Sequence, residues 1–376
     1  IDMEKYLYAQ GYYNYILTDP THPVVSPVIT LLDRESKGII TPADAENQIN
    51  SFRNIDVRNQ FNRYVYTNPV NQQYSLNISG GNSQIAWSAS GGIDKNSSAL
   101  QDSYQRLNAR LENTFTLLKN LKITSSLYMV GTTTTSGKED YTSQTYLYPY
   151  SVLKDAEGND LPAAKDYPVS YTDTAGGGKL LDWNFYPLDN YKHTYTNTAL
   201  NNIIANVGLQ YHLGHGLSFD FKYQYEGQQG ETKNINDEQS YEARNVVNLF
   251  SQVDPNTGSI NYIVPQGGIL IMNATQLKAN SIREQLNYNH TWGKHELTAL
   301  AGNENREIHN TGSTYTTFGY NSSNLTTGIV DLLDYFPVYT SGWYYSIPAA
   351  ANDFEDQLNR YVSFYGNAAY TYNSKY

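Results

Sequence analysis

Between residues 104 and 117 the chain alternates with a period of two. Leu107, Ala109, Leu111, Phe115 and Leu117 occupy one set of positions, and Arg106, Asn108, Arg110, Glu112, Thr114 and Thr116 the other. Only an extended strand puts these sets on opposite faces, one apolar and one charged. Residues 217–225 repeat the pattern, with Leu217, Phe219, Phe221, Tyr223 and Tyr225 set against Ser218, Asp220, Lys222 and Gln224. A helix would scatter both sets around its circumference. The segments 74–79, 84–93, 121–130, 202–213, 282–291, 295–302 and 359–372 read the same way. Together they predict about nine strands, near the roughly 9 to 11 residues that a tilted strand needs to cross a bilayer.

Alternation also suits a soluble sandwich, whose strands have one wet face. Connection lengths separate the two. The joins at 80–83, 119–120, 214–216 and 292–294 are short, whereas those at about 94–103, 131–199, 227–280 and 303–358 are long. Short and long joins alternate, which in an up-and-down barrel gathers every long loop on one side of the sheet. Soluble domains seldom carry several loops beyond about 12 to 15 residues. The expected fold class is therefore all-β: an antiparallel transmembrane β-barrel segment with long extracellular loops at about 131–199, 227–280 and 303–358. Residues 1–72 read as an extracellular loop region leading into the barrel, with a short helix around 42–52, and residues 73–376 as the partial barrel.

Composition agrees with a barrel and excludes other classes. Thirty-six tyrosines, three methionines and a mean hydropathy of -0.57 describe a polar, aromatic chain. No run of about 18 apolar residues offers a membrane helix, while a barrel strand, polar on one face, escapes hydropathy scales. The net charge of -11, with both signs interspersed, gives no footprint for nucleic acid. The chain has no cysteine, which excludes disulfides and thiolate metal sites. Nine strands leave two sheet edges, and an unpaired edge in lipid is costly, so an arc of a larger barrel is expected.

The segment 74–111, YSLNISGGNSQIAWSASGGIDKNSSALQDSYQRLNARL, resembles the early barrel hairpin of the SusC/RagA family of TonB-dependent outer-membrane transporters of the Bacteroidota. It has the double glycine followed by the Arg-x-Asn-x-Arg strand of Arg106, Asn108 and Arg110. Further matches at 153–159, 183–188, 216–218, 264–268, 301–304 and 360–372 follow in family order, nearly from residue 50 onward. The resemblance implies a Gram-negative cell outer-membrane barrel of about 22 strands, to which this sequence contributes about nine. It also implies a SusD-like surface lipoprotein acting as a lid, and a TonB complex acting through a plug and TonB box that fall outside this sequence. The cargo would be an oligosaccharide or oligopeptide, and the wall would contact outer-membrane lipid.

Candidate chemical sites are weak. His212 and His215 flank a glycine turn without a third donor, and His290 and His295 bracket another, where a metal needs more ligands. His295-Glu296 lacks the second histidine of a zincin. Asp331, Asp334, Glu355 and Asp356 offer carboxylates of the kind that hydrolyse glycosides, but read as solvated loop residues. The stretch 254–258 opens like a calcium loop and lacks its remaining ligands. Gly176, Gly177 and Gly178 follow no apolar strand and form no phosphate cradle. No catalytic residue, metal or cofactor is expected, and the chain is not expected to be an enzyme.

The aromatic residues of the long connections carry more information. Tyr141, Tyr146, Tyr148, Tyr150, Trp183, Tyr186, Trp343, Tyr344 and Tyr345 fall there. Such rings suit sugar faces and peptide side chains, or pack the loops against one another. Trp183, Trp343, Tyr344 and Tyr345 are the candidates for substrate or lid contact. Arg106, Asn108, Arg110 and Glu112 are expected to face the lumen or plug. Tyr223, Tyr225, Tyr370 and Tyr372 read as an interfacial girdle. The leading expectation is the barrel part of an importer. Alternatives are a secreted β-rich glycan-binding module or adhesin, a barrel scaffold or protein-export component, and, more remotely, a glycan-cleaving enzyme.

Overall fold

Nine long strands run as one antiparallel meander, and a cap of helices and loops covers one end of it. The computed structural model describes residues 1–349 and 352–373. The strands are β1 (Val70–Gly81), β2 (Ile85–Ser97), β3 (Ser103–Leu118), β4 (Leu121–Ser136), β5 (Thr194–Gly214), β6 (Leu217–Asn236), the short pair β7 (Ser251–Val253) and β8 (Ile260–Tyr262), β9 (Gly268–Trp292), β10 (His295–Asn321), the short β11 (Thr326–Gly328), β12 (Phe336–Pro337) and β13 (Tyr344–Tyr345), and β14 (Asp353–Tyr372). Sheet order is β1-β2-β3-β4-β5-β6-β9-β10, with β14 and then β11 along the far edge of β10. The outer edges of β1 and β14 pair with no other strand among the described residues.

All nine expected strands are present, in the expected order and antiparallel. They are longer than the alternation marks, from 12 residues in β1 to 27 in β10. The extra length lies at the cap end. There, in 194–201 and 303–317, polar residues occupy both faces, so the period-two signal fades while the hydrogen-bond ladder continues. The long connections shrink accordingly to 137–193, 237–267 and 322–352. The join expected at 94–103 is not long: only residues 98–102 separate β2 from β3, because Lys95, Asn96 and Ser97 still pair with Gln105, Tyr104 and Ser103.

Register fixes the two faces of the sheet. Tyr74, Ile93 and Leu107 lie side by side on one face, and Gln73, Asp94 and Arg106 on the other. The apolar face continues through Met129, Ile203 and Tyr225, and many of its side chains, such as Leu76, Leu107 and Phe364, are exposed. At the opposite end from the cap the hairpins close tightly. Gly214, His215 and Gly216 all have positive φ, and a Cβ on Gly216 would stand 2.0 Å from the Asn289 carbonyl oxygen, so this turn requires glycine.

Residues 1–69 are largely helical: α1 (Asp2–Ala9), α2 (Asn14–Leu17), α3 (Pro27–Ser36), α4 (Pro42–Ser51) and α5 (Val57–Tyr64). The helix expected around 42–52 is α4. The starts of α3 and α4 follow a shared rule, since Ser26 and Thr41 accept the N–H groups of Ile29 and Asp44 and each precedes a proline at the first helical position. Two further helices, α6 (Val169–Thr172) and α7 (Tyr241–Leu249), lie in the long connections. The buried core belongs to this cap. Val57 and Phe61 of α5 pack on Leu153 and Leu188, Val28 and Ile49 of α3 and α4 pack with Tyr150, and Val247 of α7 packs with Val264, Phe318, Val338 and Ile347.

Candidate functional site

Three surfaces bear on function: the polar face of the sheet, the aromatic interior of the cap, and an exposed aromatic tip beyond it.

Arg106, Asn108, Arg110 and Glu112 stand on the polar face of β3, as their alternation requires. Arg106 donates through Nε to Asp94 Oδ2 at 2.6 Å, and Asp94 is buried. Arg110 donates to Glu112 Oε1 at 2.6 Å, and Ser88 Oγ donates to the same carboxylate at 3.3 Å. Across the sheet the same face holds a second network. Arg283 Nε donates to Tyr365 Oη at 2.8 Å, Tyr365 Oη donates to Gln285 at 3.0 Å, Gln285 donates to Asn287, and Asn287 donates to Asp220. Asp94, Arg106, Arg110, Glu112, Asp220 and Arg283 on this face are thus cross-linked by hydrogen bonds, which holds long side chains in place.

The cap interior takes up most of the aromatic residues of the long connections. Trp183 is 1% exposed, among Tyr167, Tyr171 and Tyr339, and its Nε1 donates to Asn245 Oδ1 at 2.8 Å. Trp183 was expected at a contact surface; it is instead a core residue of the cap, because three connections far apart in sequence close around it. Tyr146 and Tyr150 are similarly packed, against Phe185 and Phe52. Beside them Lys165 Nζ lies 2.8 Å from Glu242 Oε1 and 4.7 Å from the Phe185 ring centre. Glu242 also accepts hydrogen bonds from Asn190 and Thr194. Burial pushes the Glu242 carboxyl up, but the Lys165 charge and these hydrogen bonds outweigh it and hold the group below its ordinary range. Burial together with the neighbouring Tyr339 and Tyr167 pushes Tyr171 up to about 12.

Trp343, Tyr344 and Tyr345 behave differently. They lie on the β12–β13 hairpin, where Phe336 pairs with Tyr345 and Pro337 with Tyr344. The hairpin is anchored inward by buried Val338 and by Tyr339, whose N–H donates to the Leu249 carbonyl at 2.7 Å and whose Oη accepts from Gly176 N–H at 2.9 Å. Its tip points outward, with Trp343 60% and Tyr344 65% exposed. Ile329, Leu333 and Tyr335 of the same connection are exposed as well, and none of the three is among the residues singled out from the sequence. The signal for them was present: apolar residues interspersed with aspartates in 329–335 where no strand alternates.

The remaining candidates have local roles. His215 sits in a turn, and His295 Nδ1 pairs with Tyr370 Oη. Asp331 accepts the N–H groups of Leu333 and Asp334, and Asp254 those of Asn256 and Thr257, so both form Asx turns. Asp356 pairs with His309 at 2.7 Å on β14 and β10. Among the described residues no three His, Cys, Asp or Glu side chains gather as a metal site.

No protein-family model and no curated protein matches the sequence. Solved structures match in fold. The RagAB peptide transporter superposes with a TM-score of 0.57 and 16% identity, over 83% of this chain and 31% of that chain. The RagAB peptide importer in its 'closed-closed' state gives a TM-score of 0.57 and 17% identity over the same shares. BauA, the ferric preacinetobactin receptor from Acinetobacter baumannii, superposes more loosely, with a TM-score of 0.42 and 11% identity over 81% of this chain and 38% of that one. The chain therefore spans 31% of the length of the RagAB chain it matches and shares its fold over that stretch.

Proposed function

We propose that this chain is part of the barrel wall of a SusC-like, TonB-dependent importer in the outer membrane, carrying oligopeptides or oligosaccharides inward and working with a SusD-like lipoprotein. The observation that carries the reading is the meander itself. Nine antiparallel strands present one face that is apolar over the half nearer the tight turns, interrupted there by Glu284, and one polar face, with tight turns at one end and long connections at the other, as outer-membrane barrels do. The fold shared with the RagAB peptide transporter supports the same reading and favours peptide as the first cargo to test. In this account the apolar face meets lipid, and Arg106, Asn108, Arg110 and Glu112 line the lumen against a plug. The two open sheet edges require further wall, since unpaired backbone groups in lipid cost several kcal/mol each, about the cost of any buried unpaired amide.

The exposed hairpin tip is the proposed place of substrate or lid contact. Replacing Trp343, Tyr344 and Tyr345 together by alanine is expected to lower uptake of labelled peptide about tenfold, a loss of ~1.4 kcal/mol, with unchanged amounts of protein in the outer-membrane fraction. Uptake must also vanish when TonB is deleted. Full uptake by the triple variant removes the tip from the account. A chain that fractionates as a soluble protein without detergent overturns the importer and favours a secreted binding module.

A further inference from the structure

On the apolar face, near the cap, a groove of about 520 Å³ runs between β3 and β9. Leu107, Ala109, Met129, Ile203 and Tyr225 contribute its walls, and Lys278 stands at its rim. Gly227 is also in its lining, and a Cβ there would stand 2.9 Å from Tyr225 Oη and 3.3 Å from Ile203 Cγ2, so a larger side chain at 227 would push the Tyr225 ring and itself occupy the groove. Lys278 is exposed, and its side chain forms no ion pair or hydrogen bond among the described residues. Its cross-strand neighbour His309 is engaged with Asp356, and on its other side lies Gly227.

Position decides what such a groove takes. Lys278 lies about 14 residues along β9 from the turn, roughly 35 Å above it for a strand tilted by about 40°. Met129 lies about 8 residues from its turn, roughly 20 Å above it. With an apolar band about 25 Å tall, the groove begins inside the hydrocarbon and ends with a lone cation at headgroup height. We infer that this groove holds an acyl chain of a phosphate-bearing lipid of the leaflet on the cap side, with Lys278 receiving the phosphate. The site rests on the membrane-barrel reading above and adds to it a specific lipid.

The test uses the full-length protein purified from membranes in mild detergent, offered lipid A and dephosphorylated lipid A of the same acyl composition, with retained lipid read by native mass spectrometry. The expected result is about fivefold preference for the phosphorylated form, the discrimination one cation supplies near an anionic headgroup. Lys278→Gln should abolish the preference, and Gly227→Leu should lower retention of both forms. Lys278 is exposed, so its replacement leaves folding intact, checked by heat-modifiable gel migration. A micelle-embedded protein without the preference, or with the same preference in both variants, overturns the lipid site alone. A protein that is water-soluble without detergent overturns the barrel reading instead.

Discussion

The two tryptophans of the long connections look equivalent in the sequence and are opposite in the structure. Trp183 is closed in by three aromatic rings and hydrogen-bonded to Asn245, whereas Trp343 is 60% exposed. Nothing in the chain near residue 183 announces this, because the residues that bury it come from 167–171, 245 and 339. A loop's own core is a property of distant segments and leaves no periodic trace. Trp183→Ala should cost the cap about 3–5 kcal/mol, the usual penalty for emptying a large aromatic site, while Trp343→Ala should leave stability within about 0.5 kcal/mol. Chemical denaturation followed by tryptophan fluorescence and by proteolysis of the cap separates them; equal losses would refute the assignment. A second residue stands against its surroundings. Glu284 sits on the apolar face between Phe221 and Asn303, accepting from Asn303 Nδ2 at 3.1 Å, with Phe364 one strand further. If lipid covers this face, Glu284→Leu should stabilise the protein by on the order of 1 kcal/mol, since acidic side chains in the band are unfavourable by less than the basic ones. A destabilised variant in detergent-to-lipid refolding would mean that a polar partner covers the site.

The elements divide into those whose own residues specify them and those that depend on others. Strand β3 is legible over nearly its whole length and β6 over 217–225, where each alternates, but 227–236 of β6 falls in what reads as a long connection. Above the alternating stretches β5, β9, β10 and β14 continue as ladders with polar residues on both faces, and a period defined by polarity cannot report them. The N-terminal helices α3 and α4 carried readable Ser-Pro and Thr-Pro starts, although only α4 was anticipated. Helix α7 is tied into the cap by the Lys165–Glu242 pair, which joins the β6–β9 connection to the β4–β5 connection. Because the Glu242 carboxyl is held below its ordinary value, the folded cap binds fewer protons there than the unfolded chain. Its contribution is full above the unfolded carboxyl value near ~4.3 and is lost as pH falls through the lower folded value. Hydrogen-exchange protection of 137–193 and 241–249, taken relative to the intrinsic exchange rate at each pH, should therefore fall as the medium is acidified below about pH 4. Glu242→Gln should weaken protection in these segments at pH 7 by about 1.5–3 kcal/mol, the range for a charge-assisted hydrogen bond, and flatten that acid response. An unchanged acid profile in the variant would assign the effect to other carboxylates.

At the scale of the molecule, strand alternation and the sequence of join lengths together specify a sheet with two sides and two ends. The sides follow from the register, which sets Leu107, Ile93 and Tyr74 against Arg106, Asp94 and Gln73. The ends follow from the joins. Residues 119–120 and 293–294 are tight turns, whereas 137–193, 237–267 and the connection bearing Ile329 and Leu333 all lie with the helices at the opposite end. A barrel inserted as proposed must expose one end to the outside and the other to the periplasm, and the long connections go outside. An epitope placed in the exposed 329–333 stretch should thus be reached by antibody on intact cells. The same epitope at 119–120 or 293–294 should be reached only after the outer membrane is opened. The comparison does not depend on substrate, lid or plug, because it reads only which end of the meander faces water outside the cell. Equal access to both ends on intact cells would leave no membrane between them, and the apolar face would then have to be covered by protein rather than lipid. Reversed access would keep the barrel but put the Trp343–Tyr345 tip on the periplasmic side, where it could not meet a surface lipoprotein.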